Sequence, residues 1–298
     1  MSARASNSSL PITAGVVLES LYQHRLLSSS QLHRMHTPTA SARWTRRILT
    51  GLKRHALIAC LRAADGDGSV YYLTVKGARA VESIGTPAQA RRKVITREHA
   101  MGPLRAHTLA VNETGLAFLL AARERGDDFG PLAWQHEIAH PIGTRRGQVL
   151  IADALLSYLR FGDNGKLIFE TRLLELDRGT LPTDTLAVKL ARYARVYHYT
   201  STGHSSPDWK SRYPVFPGVI CVLAGLPQAA LERRAQVVLA LCRADHLLAS
   251  TPEVEVSLAL LTDLRNEGPF AAIWQRPDRP QIMDWLGRAA TSEGGREP

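Results

Sequence analysis

Apolar side chains first recur at helical spacing at Ile12, Val16, Leu18, Leu21, Tyr22 and Leu26, which predicts a helix over 13–26. A short helix around 30–36 follows Ser28-Ser29-Ser30, with serine as its N-cap, and Pro38 ends it. A third helix over 40–54 places Trp44, Ile48, Leu49 and Leu52 on one side and basic residues on the rest. The period then shortens. Segments 57–62 and 70–74 flank Asp65-Gly66-Asp67-Gly68 and read as a hairpin, and a helix opens at Lys76-Gly77 and runs to 83. From 107 to 123 the pattern is helical again until Gly126–Pro131 breaks it. Three strand-like segments, 132–140, 149–159 and 166–177, are separated by glycine-rich turns. A helix over 184–199, a strand over 213–226, a helix over 228–244 and a strand over 254–261 complete the pattern.

Two architectures emerge, and the fold class is α+β. Three helices, a hairpin and a fourth helix make a winged helix-turn-helix over 12–85. A helix, three hairpin-type strands and two helix–strand units make a mixed sheet flanked by helices over 105–288. Residues 86–104 read as a basic linker, and 1–11 and 289–298 as disordered tails.

Charge sharpens the division. Residues 1–105 hold 16 Lys and Arg against 5 Asp and Glu; the remainder holds 21 against 22. All of the net +10 therefore sits in the first third. A basic module beside a neutral one suits a polyanion partner, here double-stranded DNA. Arg43, Arg46, Arg47, Lys53 and Arg54 lie on the third helix, the element that enters the major groove in a winged helix, and Arg91 and Arg92 extend the charge into the linker. A solvated basic helix without a partner, or one used for protein contacts, is the competing interpretation. No apolar run approaches the roughly 20 residues of a membrane span. No signal peptide is read, and three scattered cysteines fit a reducing, cytoplasmic location beside nucleoid or plasmid.

The acidic residues of the second module carry candidate chemistry. Asp153 is embedded in an apolar strand, and Glu175 and Asp177 share a face two residues apart. If Asp153 lies on the neighbouring strand, the three carboxylates converge as ligands for Mg²⁺ or Mn²⁺, with Lys189 on the following helix facing phosphate. The alternative is structural: acids at a sheet edge paired with Arg172 and Arg178.

The order of elements and these acids resemble the PD-(D/E)XK nuclease superfamily. More narrowly, Trp134-Gln135-His136-Glu137, Asp153, Leu174-Glu175-Leu176-Asp177-Arg178-Gly179-Thr180, Lys189-Leu190 and Tyr193 resemble the replication-relaxation family, over roughly 12–200. That resemblance implies a winged helix joined to a restriction-endonuclease-like domain, acting in plasmid or mobile-element replication and transfer, with other proteins of those processes as partners; a homodimer is a separate expectation. Asp153, Glu175, Asp177, Lys189 and Glu137 are the catalytic candidates. Two positions depart from the pattern: Ala152 stands where a proline usually precedes the first acid, and Asp177 stands where the lysine is expected. The resemblance implies that Lys189 takes the place of that lysine from the helix, as in members with a migrated lysine.

Two further functions compete. One is a non-catalytic DNA-binding regulator whose second domain packs or dimerises. The other is a zinc metallopeptidase, because His136-Glu137-Ile138-Ala139-His140 matches a motif that sets two imidazoles on one helical face with the glutamate as base. Pro141 and the alternation of Leu132, Trp134, His136 and Ile138 argue for a strand instead.

Overall fold

A computed structural model describes residues 12–62, 68–84, 94–145, 147–162 and 164–289. Both expected tails, apart from Ala289, and the turn at 63–67 lie outside the described residues, as do Arg91 and Arg92. The chain divides into two compact units between Asn112 and Glu113.

The first unit runs α1 (Ile12–His24), β1 (Leu27–Ser28), α2 (Ser29–His36), α3 (Ala42–Arg54), β2 (Ile58–Arg62), β3 (Ser69–Leu73), α4 (Val75–Ser83), α5 (Arg97–Met101) and the start of α6 (Leu104–Arg125). Its antiparallel sheet has the order β1-β3-β2. Ser28 starts α2 with a reciprocal cap: its hydroxyl accepts from Gln31 N–H at 3.1 Å while Gln31 Oε1 accepts from Ser28 N–H. β1 escaped the sequence pattern because two residues are too few to show a period; it exists by pairing Leu27 with Tyr71 and Ser28 with Val70. α3 buries Thr45, Ile48, Leu49 and Leu52. Thr45 Oγ1 lies 2.6 Å from Thr37 Oγ1 and 2.8 Å from His33 Nδ1, a buried polar tie from α3 back to α2 and its C-cap. Gly77 is required where α4 crosses the chain, since a Cβ there would collide with the Leu57 carbonyl.

The second unit contains the rest of α6, then β4 (Trp134–Pro141), β5 (Val149–Phe161), β6 (Leu167–Asp177), α7 (Thr183–His198), a 3₁₀ turn (Asp208–Ser211), β7 (Gly218–Leu223), α8 (Gln228–Ala244), α9 (His246–Ala249), β8 (Val256–Leu260), α10 (Leu261–Glu267), β9 (Trp274–Arg276) and β10 (Arg279–Met283). The seven strands lie in the order β10-β9-β8-β7-β6-β5-β4. β6, β7 and β8 are parallel to one another, and the outer pairings are antiparallel. The sheet is therefore mixed, as the element order implied. The expected strand over 213–226 shrinks to β7, because Pro214 and Pro217 cannot donate to a ladder.

β7 is buried along its whole length, as a strand covered on both faces must be. α7 and α8 cover one face with Leu186, Leu190, Leu231 and Val238 against Leu173, Val219, Cys221 and Leu258. An aromatic cluster of Phe118, Phe129, Trp134, Tyr158 and Trp285 forms a second core, with Phe129 stacked on Trp134 at 5.8 Å. Gly115 admits Trp134 to α6: a Cβ at 115 would sit 2.5 Å from two indole ring atoms.

Candidate functional site

Strand register builds the site. The β5–β6 ladder runs from Phe161–Leu167 to Ala154–Leu174 and ends there. Beyond it the N–H of Leu176 donates to Asp153 Oδ2 at 2.7 Å, so a side chain takes over from the ladder at the point where the two strands stop pairing. That bond sets Asp153 beside Glu175. From the helix side, Lys189 and Tyr193 are four residues apart on α7 and reach the same place, held by the burial of Leu186 and Leu190.

Glu175 is 1% exposed. Its Oε1 accepts from the Tyr193 hydroxyl at 2.5 Å. Its Oε2 forms an ion pair with Lys189 Nζ but has no donor aligned for a hydrogen bond. Lys189 Nζ also lies 4.0 Å from Asp153 Oδ1, so one ammonium bridges two carboxylates. The Lys189 and Asp153 side chains are 29% and 19% exposed, which leaves one side of the cluster open to solvent. Burial, with the Asp153 charge adding to it, pushes the Glu175 carboxyl up to about 8, against the opposing pull of Lys189 and Tyr193. The Lys189 ammonium is held above its usual range by Glu175 and Asp153 despite its own desolvation. Burial and the Glu175 charge drive the Tyr193 hydroxyl well up as well, so it serves as a proton donor in a hydrogen bond.

Asp177 is placed elsewhere. Both of its oxygens are taken by Arg234 of α8, at 2.5 and 3.2 Å, and the same guanidinium donates to Thr183 Oγ1 and the Leu181 carbonyl. The side chains of this pair are 2% and 10% exposed, and they lock the turn from β6 into α7. Neither Arg172 nor Arg178, the partners suggested by sequence, takes this role; Arg172 pairs with Glu170. No periodicity pointed to Arg234, which is 57 residues from its partner.

Glu137 lies on β4. It is exposed, occupies the β4 position facing Asp153 between the His136–Ala154 and Ile138–Ala152 pairs, and has a left-handed φ of 58°. The zinc-peptidase geometry is refuted because His136 through His140 lie in β4, not in a helix. Four residues of strand separate the imidazoles by about 13 Å along the chain. His140 is 1% exposed and its Nε2 lies 2.9 Å from the Tyr213 hydroxyl.

The site offers two carboxylates, which suit a hard divalent cation, with the buried Cys221 thiol beside Glu175 across the β6–β7 pair and held protonated by burial, and the buried Glu175 Oε2 has no aligned hydrogen-bond donor. Among the described residues no group of three or more His, Cys, Asp and Glu is placed to hold a metal. Asp153 and Glu175 would therefore hold such an ion only together with water and phosphate oxygens.

In the first unit, Arg43, Arg46, Arg47, Lys53 and Arg54 are all exposed on α3, opposite the buried Thr45, Ile48, Leu49 and Leu52. The Arg47 guanidinium lies 5.7 Å from the Trp44 ring centre. No acid of the described residues forms an ion pair with any of the five. Among the described residues no helix is long and apolar enough to cross a membrane.

These features define a mixed α+β protein with a basic helical unit and a seven-stranded sheet bearing a carboxylate–lysine site. Residues 18–206 match the replication-relaxation family, and the chain belongs to it. The matched region contains α3 and every member of the Asp153–Glu175–Lys189–Tyr193 cluster. No curated protein and no solved structure matches the chain.

Proposed function

We propose that this protein binds double-stranded DNA in plasmid or mobile-element replication, with α3 as the groove-facing helix of a winged helix and the sheet unit as a PD-(D/E)XK-type site for a phosphodiester. The observation that carries the second half is convergence: Asp153, Glu175 and Lys189 come from two strands and a helix yet meet within one ion-pair network. Asp153 and Glu175 are the residues that would hold Mg²⁺ or Mn²⁺. A bound ion would supply Lewis acidity at a phosphodiester oxygen. Lys189, anchored on α7 and open to solvent on one side, is positioned to neutralise a non-bridging oxygen, the role of the lysine that Asp177 replaces. Tyr193 holds Glu175 in place from behind. The exposed guanidinium row of α3 supports DNA docking through phosphate and guanine contacts.

Two experiments test this. Replacing Arg43, Arg46 and Arg47 with Ala should weaken duplex binding and flatten its salt dependence, because fewer phosphates are neutralised. Unchanged binding by the folded triple variant would refute α3 as the docking helix. For the sheet site, supercoiled plasmid should be nicked only with Mg²⁺ or Mn²⁺, and Asp153→Asn should abolish nicking while leaving DNA binding intact. DNA left whole across metals, with binding retained, would favour the second reading: a non-catalytic DNA-binding regulator. One observation supports that second reading, since Lys189 already pairs with both acids.

A further inference from the structure

We infer that Lys189 is a resident cation that competes with a divalent ion for Asp153 and Glu175, so that loading the site requires its ammonium to swing out toward solvent and the substrate phosphate. The inference rests on the proposed metal site and deepens it by naming what regulates its occupancy. Three observations support it. Lys189 Nζ contacts Glu175 Oε2 and lies 4.0 Å from Asp153 Oδ1, the oxygens a shared ion would use. The other oxygen of each acid already accepts a hydrogen bond, Asp153 Oδ2 from the Leu176 N–H and Glu175 Oε1 from Tyr193, so the ammonium sits at the oxygens these two donors leave. And the lysine has somewhere to go, because its side chain is 29% exposed while Glu175 beside it is sealed.

A divalent ion entering between these oxygens would stand within about 4 Å of the ammonium, where like charges repel strongly in a partly buried site. The fixed side chains cannot relieve this. Glu175 is held by Tyr193 and by the sheet, and Asp153 ends the β5–β6 ladder. Lys189, with four rotatable methylenes, is the mobile member. The released ammonium and the loaded ion would then face the same anionic substrate.

The test uses the full chain. Six lysines are present, so acetylation by a water-soluble reagent can be read residue by residue by mass spectrometry. With saturating Mn²⁺, Lys189 should be modified at least about fivefold faster than without it, while Lys53, Lys76, Lys166 and Lys210 keep their rates. Calorimetric titration with Mn²⁺ at pH 8.5 gives a second readout. Lys189→Met should bind at least about tenfold more tightly than wild type, because a like charge beside the ion is gone. Asp153→Asn combined with Lys189→Met should lose that gain. Mn²⁺ binding that depends on Asp153 but leaves Lys189 reactivity unchanged would overturn the latch and leave the metal site standing. Absence of Mn²⁺ binding in both wild type and Lys189→Met would overturn the latch and the metal site together, with DNA binding by α3 unaffected.

Discussion

Asp177 forms a buried ion pair with Arg234, and the sharpest prediction separates a structural role for this acid from a metal-binding one. In Arg234→Met the buried Asp177 carboxylate, 2% exposed, loses both of its guanidinium hydrogen bonds, and Thr183 and the Leu181 carbonyl lose theirs. Breaking a buried ion pair from one side costs about 3–5 kcal/mol, chiefly because the remaining charge is stranded. With a urea slope of about 2 kcal/mol per M for a unit of this size, the midpoint should fall by about 1.5–2.5 M. Asp177→Asn should fall less, since the amide oxygen still accepts one guanidinium N–H. The double variant Asp177→Leu with Arg234→Met should recover most of the loss, because neither charge is left alone. Tryptophan fluorescence follows the sheet unit, which holds Trp134, Trp209, Trp274 and Trp285, leaving only Trp44 in the first unit. If Asp153 and Glu175 hold Mn²⁺ as proposed, folded Asp177→Asn should bind it as wild type does. A midpoint shift below about 0.5 M for Arg234→Met, or loss of Mn²⁺ binding in a fully stable Asp177→Asn, would refute the structural role.

Three further outcomes follow from the same geometry. Glu175 has its carboxyl raised from 4.5 to about 8, so between those values the native state holds a proton that the unfolded chain releases; stability falls as pH rises through that window, and Glu175→Gln should flatten the slope in urea titrations. An unchanged slope would show that Glu175 ionises freely. His140, driven down to about 4 by burial and by Arg212, should titrate near that value by histidine NMR, and stability should drop as pH falls from 6.5 toward 4; a titration near 6.5 would contradict its burial. Gly115→Ala should destabilise the sheet unit by about 1–3 kcal/mol through the clash with Trp134, and a neutral result would mean that α6 shifts freely against the sheet.

Periodicity made most of the fold legible. α3, β5, β6, α7 and α8 fall within two or three residues of their expected limits because each carries an uninterrupted apolar face. The same local signal rejected the peptidase, since Pro141 and the alternation through Ile138 describe β4. What it missed was short: β1, α5, the 3₁₀ turn, α9 and the elements after β8, where too few residues exist to show a repeat.

Chemistry divided differently. Composition alone determined that the positive charge lies in the first third, and spacing alone put Glu175 and Asp177 on one strand face. Shared orientation did not give shared function. Which acid meets Lys189 and which meets Arg234 depends on where α7 and α8 cross the sheet, and that is set by the packing of Leu186, Leu190, Leu231 and Val238 rather than by local pattern. The place where β5 and β6 stop pairing likewise decided that Asp153 turns toward Glu175. A strand's two-residue period tells which side a residue points to; only tertiary packing chooses the partner waiting there.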